Sequence, residues 1–335
     1  MEAIIKSFFA VFISFLVTFY VTPLFSALAR KLQFVDVPDG KIKLHKNAVP
    51  YLGGLAVYCG FIVSLALVFP IENNILLFLI GSTLLLFVGL VDDLFVLKPY
   101  QKFFGQIIAA FCFLKAGFYL KEHFFYTLWH IPLSVLWILS IINAFNLVDV
   151  MDGLASLLAI AATSSFMVIS FYFNHNTSLL LLASLLGSLM AFFWYNKPSA
   201  TIYLGDAGSL FIGGLVATIP FLLPWGLYNW HGYLTPLVVL LIPFLEIGAL
   251  ILIRTYRGIP FYKGSPDHFS HYLLRKGWKR AFILGYIALL SIIQMLIARL
   301  FVAHIINLDA LVVSQVIFII FWFFTLFLGK KTPVA

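Results

Sequence analysis

Asn143-Ala144-Phe145-Asn146-Leu147-Val148-Asp149-Val150-Met151-Asp152-Gly153-Leu154 places two amides and two carboxylates, one every third residue, where one apolar segment (131–148) ends and the next (153–173) begins. Apolar segments of about 20 residues span a bilayer as helices, and polar side chains at their ends are kept mainly to line a site or meet a partner. On a helix each three-residue step turns about 300°, so the four side chains drift around roughly half the circumference. Asn146 and Asp149 can share one ligand, whereas Asn143 and Asp152 cannot lie on one stripe. A cluster of that shape suits a ligand docked at a helix terminus better than a straight polar seam. The plainer reading, Asp152 as an N-cap ahead of Leu154, accounts for one residue of the four.

The flanking pattern repeats along the chain. Eleven apolar runs cover about 3–29, 51–69, 75–91, 103–119, 131–148, 153–173, 177–195, 209–224, 234–253, 281–303 and 308–329. The chain is 63% hydrophobic and 10% charged, with a mean hydropathy of +1.06. No soluble domain of this length hides so much apolar surface. The expectation is an all-α polytopic membrane protein of about 11 transmembrane helices, one integral membrane domain over residues 1–335, with a site built from its cytoplasmic loops. Ala27-Leu28-Ala29 resembles a signal-peptidase site, but the apolar core before it exceeds the 7–15 residues of a secretory segment, so a retained helix is expected. Cys59 and Cys112 both fall inside apolar runs, where thiols pack rather than form disulfides or metal sites.

Basic residues set the orientation. Arg30, Lys31, Lys41, Lys43, Lys46, Lys98, Lys102, Lys197, the group from Arg254 to Arg280, Lys330 and Lys331 fall on alternate connections; Lys6, Lys115 and Lys121 fall on the others. The positive-inside rule makes the first set cytoplasmic, with the N-terminus outside and the C-terminus inside. A net charge of +8 then needs no nucleic-acid partner: the lipid bilayer and phosphorylated substrates account for it.

The polar inventory gathers on that cytoplasmic side. In the first loop Pro38, Gly40 and Pro50 predict irregular chain, His45 and Lys46 can grip a phosphate or a base, and Gly53-Gly54 predicts close backbone approach. Asp92-Asp93 puts two charges at a helix C-terminus, where both their repulsion and the helix dipole are unfavourable, which points to a cation or acid–base work. Gln106 is expected to pack. In Gly205-Asp206-Ala207-Gly208-Ser209, free N–H groups at a helix start beside glycines form a phosphate cradle, with Ser209 as N-cap and Asp206 for Mg²⁺. Tyr203 offers a plane for a base, or a plain interfacial anchor. His268 and His271 share a face if that piece is helical, fitting diphosphate contact or proton movement; a zinc pair lacks further His or Cys ligands nearby. Of 13 acids, Asp36, Asp39, Asp92, Asp93, Asp149, Asp152, Asp206 and Asp267 lie on this side. Glu246 lies within a span, near Pro243, which is expected to break or kink that helix. Arg299, also within a span, can snorkel outward or pair with Glu246. Acids for Mg²⁺, bases for phosphate and glycines for close approach fit phosphoryl transfer to a lipid-soluble acceptor. A transporter or flippase of a lipid-linked substrate is the rival reading, with the shortage of mid-depth carboxylates against it.

Taken in order, Gly53-Gly54, Asp92-Asp93, Asn143-x-x-Asn146-x-x-Asp149-x-x-Asp152-Gly153, Gly205-Asp206-x-Gly208-Ser209 and Asp267-His268-x-x-His271 resemble the polyprenyl-phosphate N-acetylhexosamine-1-phosphate transferases, over about residues 38–277. The resemblance implies transfer of a sugar 1-phosphate, GlcNAc-1-phosphate first among them, from a UDP-sugar to undecaprenyl phosphate with release of UMP. It implies Mg²⁺, with Mn²⁺ as a substitute, and a homodimer as an optional assembly. Such enzymes initiate O-antigen, enterobacterial common antigen or teichoic acid synthesis. It further implies Asp92 and Asp93 as the catalytic acidic pair, with Asp149 and His268 beside them. Asn146 and Asp206 stand at the metal and the diphosphate, while Lys46, Asn143, Asp152, Asn196, Tyr203 and His271 contact substrate. Two positions depart from the family pattern. Val96 stands where a third Asp often follows the pair, and Ser270 stands where a further His is usual. A triple-histidine run is absent, which ranks muramoyl-pentapeptide transfer second.

Overall fold

The computed structural model describes residues 2–36, 48–69, 73–121, 128–258, 260 and 267–327. Lys46, with most of the first basic loop, lies outside the described residues. Helix α1 (Glu2–Lys31) leads through the two-residue strands β1 (Val35–Asp36) and β2 (Val49–Pro50) into α2 (Gly53–Val68). The strands pair antiparallel, with Val35 opposite Pro50 and Asp36 opposite Val49. There follow α3 (Asn73–Phe95), α4 (Pro99–Lys115), α5 (His130–Val148), α6 (Leu154–Tyr172), α7 (Asn176–Asn196) and α8 (Gly205–Thr218). A 3-10 turn, Ile219–Leu222, extends α8. The short α9 (Trp225–Tyr228) precedes α10 (Thr235–Val239), α11 (Leu241–Tyr256), α12 (Phe269–Arg275), α13 (Arg280–Val302) and α14 (Leu308–Phe327).

The all-α polytopic class holds, and each of the eleven apolar runs is helical. Eight helices are long and apolar enough to cross a membrane, or nine if the bent pair α10–α11 counts as one span. By that criterion eleven is not reached. The 16 residues of α2 and the 17 of α4 rise only about 24–26 Å, short of a hydrocarbon core of about 30 Å. Between α10 and α11 the chain turns by 67°. Pro243 has no N–H, and its ring clashes with the carbonyl four residues back, at Val239, which is where α10 stops.

Packing follows residue size. On α1 the buried positions are Ser7, Ala10, Ser14, Thr18, Thr22 and Ala29, all small, while Phe8, Phe12, Tyr20 and Leu24 stay exposed. Small side chains let helices approach closely and hydrogen-bond across the gap. Ser64 Oγ donates to the Ala10 carbonyl at 2.8 Å and lies 3.0 Å from Ser184 Oγ, joining α1, α2 and α7. At the centre stands α8, every residue of which is buried except Asp206. A helix apolar all round belongs inside a bundle, and this one is wrapped by α2, α3, α5 and α6. Cys59 and Cys112 are free thiols, as expected.

Candidate active site

The site is organised by the N-terminus of α8. Gly54 donates its N–H to the Leu204 carbonyl at 2.9 Å, and Gly53 to that of Tyr203 at 3.0 Å. A Cβ on Gly54 would stand 2.2 Å from the Gly208 nitrogen, so only glycine admits this approach. From the other side comes the end of α3. Asp93 Oδ1 accepts the N–H of Asp206 at 2.9 Å, and Oδ2 accepts that of Ala207 at 3.1 Å. A carboxylate here satisfies two orphan helix donors and meets the positive end of the dipole. The expected phosphate cradle is therefore filled by Asp93. Nor is Ser209 an N-cap: it lies inside α8 and accepts from Asn146 Nδ2 at 3.0 Å.

Asp92, about 100° around the helix from Asp93, is satisfied differently. Its Oδ1 accepts the N–H of Leu97 at 2.6 Å, and its Oδ2 lies 2.9 Å from Lys102 Nζ. Lys102, from the first turn and a half of α4, also reaches Asp206 Oδ2 at 2.5 Å and Asn146 Oδ1 at 3.1 Å. Asn146 in turn donates to Asp206 Oδ1 at 2.6 Å. The repulsion expected between adjacent carboxylates is thus resolved by division: one takes a helix end, the other an ammonium.

Asp92, Asp93 and Asp206 border a cavity of about 500 Å³ whose walls also include Asp36, Tyr51, Asp149 and Asp152, with Asn196, Tyr203, His271 and Arg280; Lys102 and Asn146 reach it only through Asp92 and Asp206. Asp149 ends α5. Burial, then the charges of Asp206, Asp93 and Asp152, push its carboxyl well above the usual range. Asp152 caps no helix; Gly153, at φ +78°, precedes α6 without a side-chain cap. Asp152 instead pairs with Arg280 at 3.3 Å and accepts the N–H of Ala200 at 3.3 Å. Asn196 is buried and pins the chain, its Oδ1 accepting from Gly153 N at 3.2 Å and its Nδ2 donating to the Ile202 carbonyl at 3.1 Å. Tyr203 and Tyr51 make a tilted aromatic pair, centroids 6.1 Å apart. Burial and the charges of Asp152 and Asp36 push the Tyr203 phenol up to about 12, so it stays neutral. Burial, then the charge of His268, lowers the His271 imidazole, partly offset by the Val150 carbonyl.

Of the expected residues, Asn146 reaches the cavity only through Asp206, and two stand elsewhere. Asn143 is turned to Gln106, donating Nδ2 to its Oε1 at 2.8 Å, and to the Leu139 carbonyl at 2.7 Å; it does not line the cavity. His268 lies behind His271, buried against Glu246. Arg299 does not meet Glu246: its guanidinium lies 3.8 Å from the Tyr172 ring centroid.

The family described as glycosyl transferase family 4 matches residues 75–223, the segment from α3 through α8. Over 274 residues the chain is 32% identical to the undecaprenyl-phosphate alpha-N-acetylglucosaminyl 1-phosphate transferase of Thermotoga maritima, covering 80% of this chain and 83% of that protein. The chain belongs to glycosyl transferase family 4. It is 28% identical over 334 residues to a probable undecaprenyl-phosphate N-acetylglucosaminyl 1-phosphate transferase of Bacillus subtilis, covering 94% of this chain and 92% of that protein. It is 26% identical over 316 residues to the phospho-N-acetylmuramoyl-pentapeptide-transferase of Caldanaerobacter subterraneus, covering 88% of this chain and 98% of that protein.

Read as a family 4 site, the cavity fits a hard divalent cation by donor chemistry. Six carboxylates (Asp36, Asp92, Asp93, Asp149, Asp152 and Asp206) line it with Arg280, and Lys102 pairs with Asp92 and Asp206. Hard oxygens in excess negative charge are the donor type that suits a hard divalent cation such as Mg²⁺. Among the described residues no three acid, His or Cys side chains converge on one ion position, and the Lys102 ammonium already stands among the oxygens of Asp92, Asp206 and Asn146. Arg280 and Tyr51 line the cavity and Lys102 pairs with two of its acids although no motif marked them, and Asp36 was marked only as one acid of the cytoplasmic set. Lys102 and Arg280 were legible only as orientation charges. The one clue was that a lysine in an otherwise apolar helix follows so soon after an acidic pair.

Proposed function

We propose that the chain transfers a sugar 1-phosphate, GlcNAc-1-phosphate first, from a UDP-N-acetylhexosamine to undecaprenyl phosphate. The products are UMP and a diphosphate-linked lipid sugar that initiates a cell-envelope polysaccharide. The observation that carries this reading is the cavity of six carboxylates and few fixed cations at the ends of apolar helices: such a site receives polyphosphate with its counter-cation beside a lipid phase. Family membership and the names of the relatives support it. The site then faces the cytoplasm, where the basic connections lie and nucleotide sugars are made.

An oxygen of the lipid phosphate attacks the sugar-bearing phosphorus. The bond from that phosphorus to the bridging oxygen breaks, and UMP leaves with the bridging oxygen and its electron pair. Asp149, whose desolvated carboxyl titrates above the ordinary range, takes any remaining proton of the lipid phosphate once it is itself ionised. Where Asp206, Asp92 and Asn146 take a cation, the Lys102 ammonium would leave their oxygens and turn to a phosphate oxygen. Arg280 and the Tyr51–Tyr203 pair bound the nucleotide side, the rings giving the base a flat face and Asp152 an acceptor. Asp93 keeps the start of α8 in register. Asp206, Asp92 and Asn146 would hold Mg²⁺, or Mn²⁺ in its place, which when bound neutralises the donor diphosphate and the charge developing on the departing phosphate.

The test is UMP release and lipid-linked sugar from purified protein with undecaprenyl phosphate, Mg²⁺ and either UDP-GlcNAc or UDP-N-acetylmuramoyl-pentapeptide, with an EDTA control. Metal-dependent turnover of UDP-GlcNAc is expected. Turnover of the pentapeptide donor alone would move the chain to the activity named for its Caldanaerobacter relative. Turnover of no UDP-sugar by folded protein would overturn the transfer reading.

A further inference from the structure

A buried acid–imidazole pair stands behind the cavity wall. Glu246 lies on α11, just past the 67° bend, and is 2% exposed. A carboxylate in such an apolar setting is kept only with a partner. That partner comes from 22 residues downstream: Glu246 Oε1 is 2.9 Å from Nδ1 of His268, which is 5% exposed and precedes the first residue of α12. The second oxygen accepts the backbone N–H of Phe269 at 3.4 Å. One carboxyl oxygen of Glu246 meets the ring and the other the backbone at the start of α12, so ring and carboxyl are held in one relative orientation.

The chain of contacts continues to the cavity. The rings of His268 and His271 meet edge to face, centroids 5.7 Å apart and planes at 76°. His271 lines the cavity, and its Nε2 is 3.3 Å from the Val150 carbonyl. A carbonyl only accepts, so Nε2 is the donor here. Val150 sits on the turn between Asp149 and Asp152. Asp267, next to His268, is tied to Arg257 at 2.6 Å, which holds the same end of α12. A buried polar pair contributes little net stability compared with apolar packing, so the use of the Glu246–His268 pair is geometric.

We propose that Glu246 is a positioning residue: it fixes His268, and through it holds His271 against the Asp149–Asp152 turn at the cavity wall. Its kinetic consequence rests on the transfer reading; its hold on the two rings does not. The experiment takes the full-length protein in nanodiscs with Glu246→Ala, Glu246→Gln, His268→Ala and the Glu246→Ala, His268→Ala double variant. With UDP-GlcNAc, or whichever UDP-sugar the wild type turns over, Glu246→Ala is expected to lower kcat by about tenfold or more while donor KM stays within about threefold. Glu246→Gln, which keeps shape and an acceptor, is expected to recover part of that loss. The double variant should be no slower than His268→Ala, because residues acting as one unit are not additive. Full turnover in Glu246→Ala, or losses that multiply, overturns the proposal, as does a loss confined to the yield of folded protein. A second arm follows diethylpyrocarbonate modification of His268 and His271 by peptide mass spectrometry, without substrate. Both rings should react about threefold faster or more once Glu246 is Ala, in line with local opening, and faster in Glu246→Gln than in wild type. Unchanged rates in both variants overturn the proposal. If wild type releases UMP from no UDP-sugar, the transfer reading falls while this arm still decides Glu246, and Glu246→Gln serves if Glu246→Ala does not fold.

Discussion

Lys102 holds Asp92 Oδ2, Asp206 Oδ2 and Asn146 Oδ1 on a single ammonium, which makes it the residue on which the charge balance of the site turns. Removing one partner of a largely buried ionic group leaves the others uncompensated, at a cost of about 3 kcal/mol. Lys102→Met is therefore expected to lower the unfolding midpoint in EDTA at neutral pH, and added Mg²⁺ should restore much of it. An unchanged midpoint would show that the ammonium does not balance these acids. Asp149 supplies the pH-dependent counterpart. Its folded-state carboxyl titrates above its unfolded value, so the native state holds a proton that the unfolded chain has already released. Stability in EDTA should then fall as pH rises from about 4 through the raised value. Asp149→Asn should flatten that fall and raise the midpoint at pH 7; a decline of the same slope in the variant would exclude Asp149 as its source.

At the scale of the element, the start of α8 is clamped between the ends of α2 and α3. Asp93 satisfies two of its N–H groups, and Asp93→Ala is expected to cost about 1–2 kcal/mol, the range for loss of a cap. Asp93→Asn keeps one acceptor, so it should lose less stability than Ala while still losing turnover, and equal losses in the two would argue against the capping role. Asp206→Asn should fold and lose turnover. Gly54 tests the clamp without touching any charged group. A Cβ there meets backbone of Gly208, so Gly54→Ala must push α8 away by overpacking, at about 1–3 kcal/mol. Turnover should fall although every polar residue of the cavity is intact, and a fully active Gly54→Ala would mean that the register of α8 is not critical.

For the whole molecule, the disposition of charge sets the direction. Six carboxylates line the cavity with Arg280 in a chain that is +8 overall, so most of its basic residues lie outside the cavity, many of them on the connections. If those connections are cytoplasmic, a fluorescent protein fused after Lys331 should fluoresce and alkaline phosphatase fused there should stay inactive. The reverse pattern would invert the molecule and place the site on the outer face. α2 and α4, each short of a full crossing, both end against the cavity, and the bend between α10 and α11 carries Glu246 towards α12.

The linear chain settled the membrane class, the eleven helical runs, the free cysteines, the close approach at Gly53-Gly54 and the break near Pro243. These follow from hydropathy, helix period and the missing N–H of proline, all of them local properties. It also placed Asp92, Asp93, Asn146, Asp149, Asp152, Asn196, Tyr203, Asp206 and His271 near one site, because acids, amides and glycines at the ends of apolar runs have few other uses. Only the packed bundle decided what each one touches. The N–H groups at the start of α8 met Asp93, Asn143 met Gln106, Lys102 bridged Asp92 to the distant Asp206, and Arg280 joined Asp152 from far along the chain. Glu246 found His268 across 22 residues. A hydrogen bond or ion pair acts over about 3 Å, and which groups come within that reach depends on how helices far apart in sequence cross and bend, which no local pattern records.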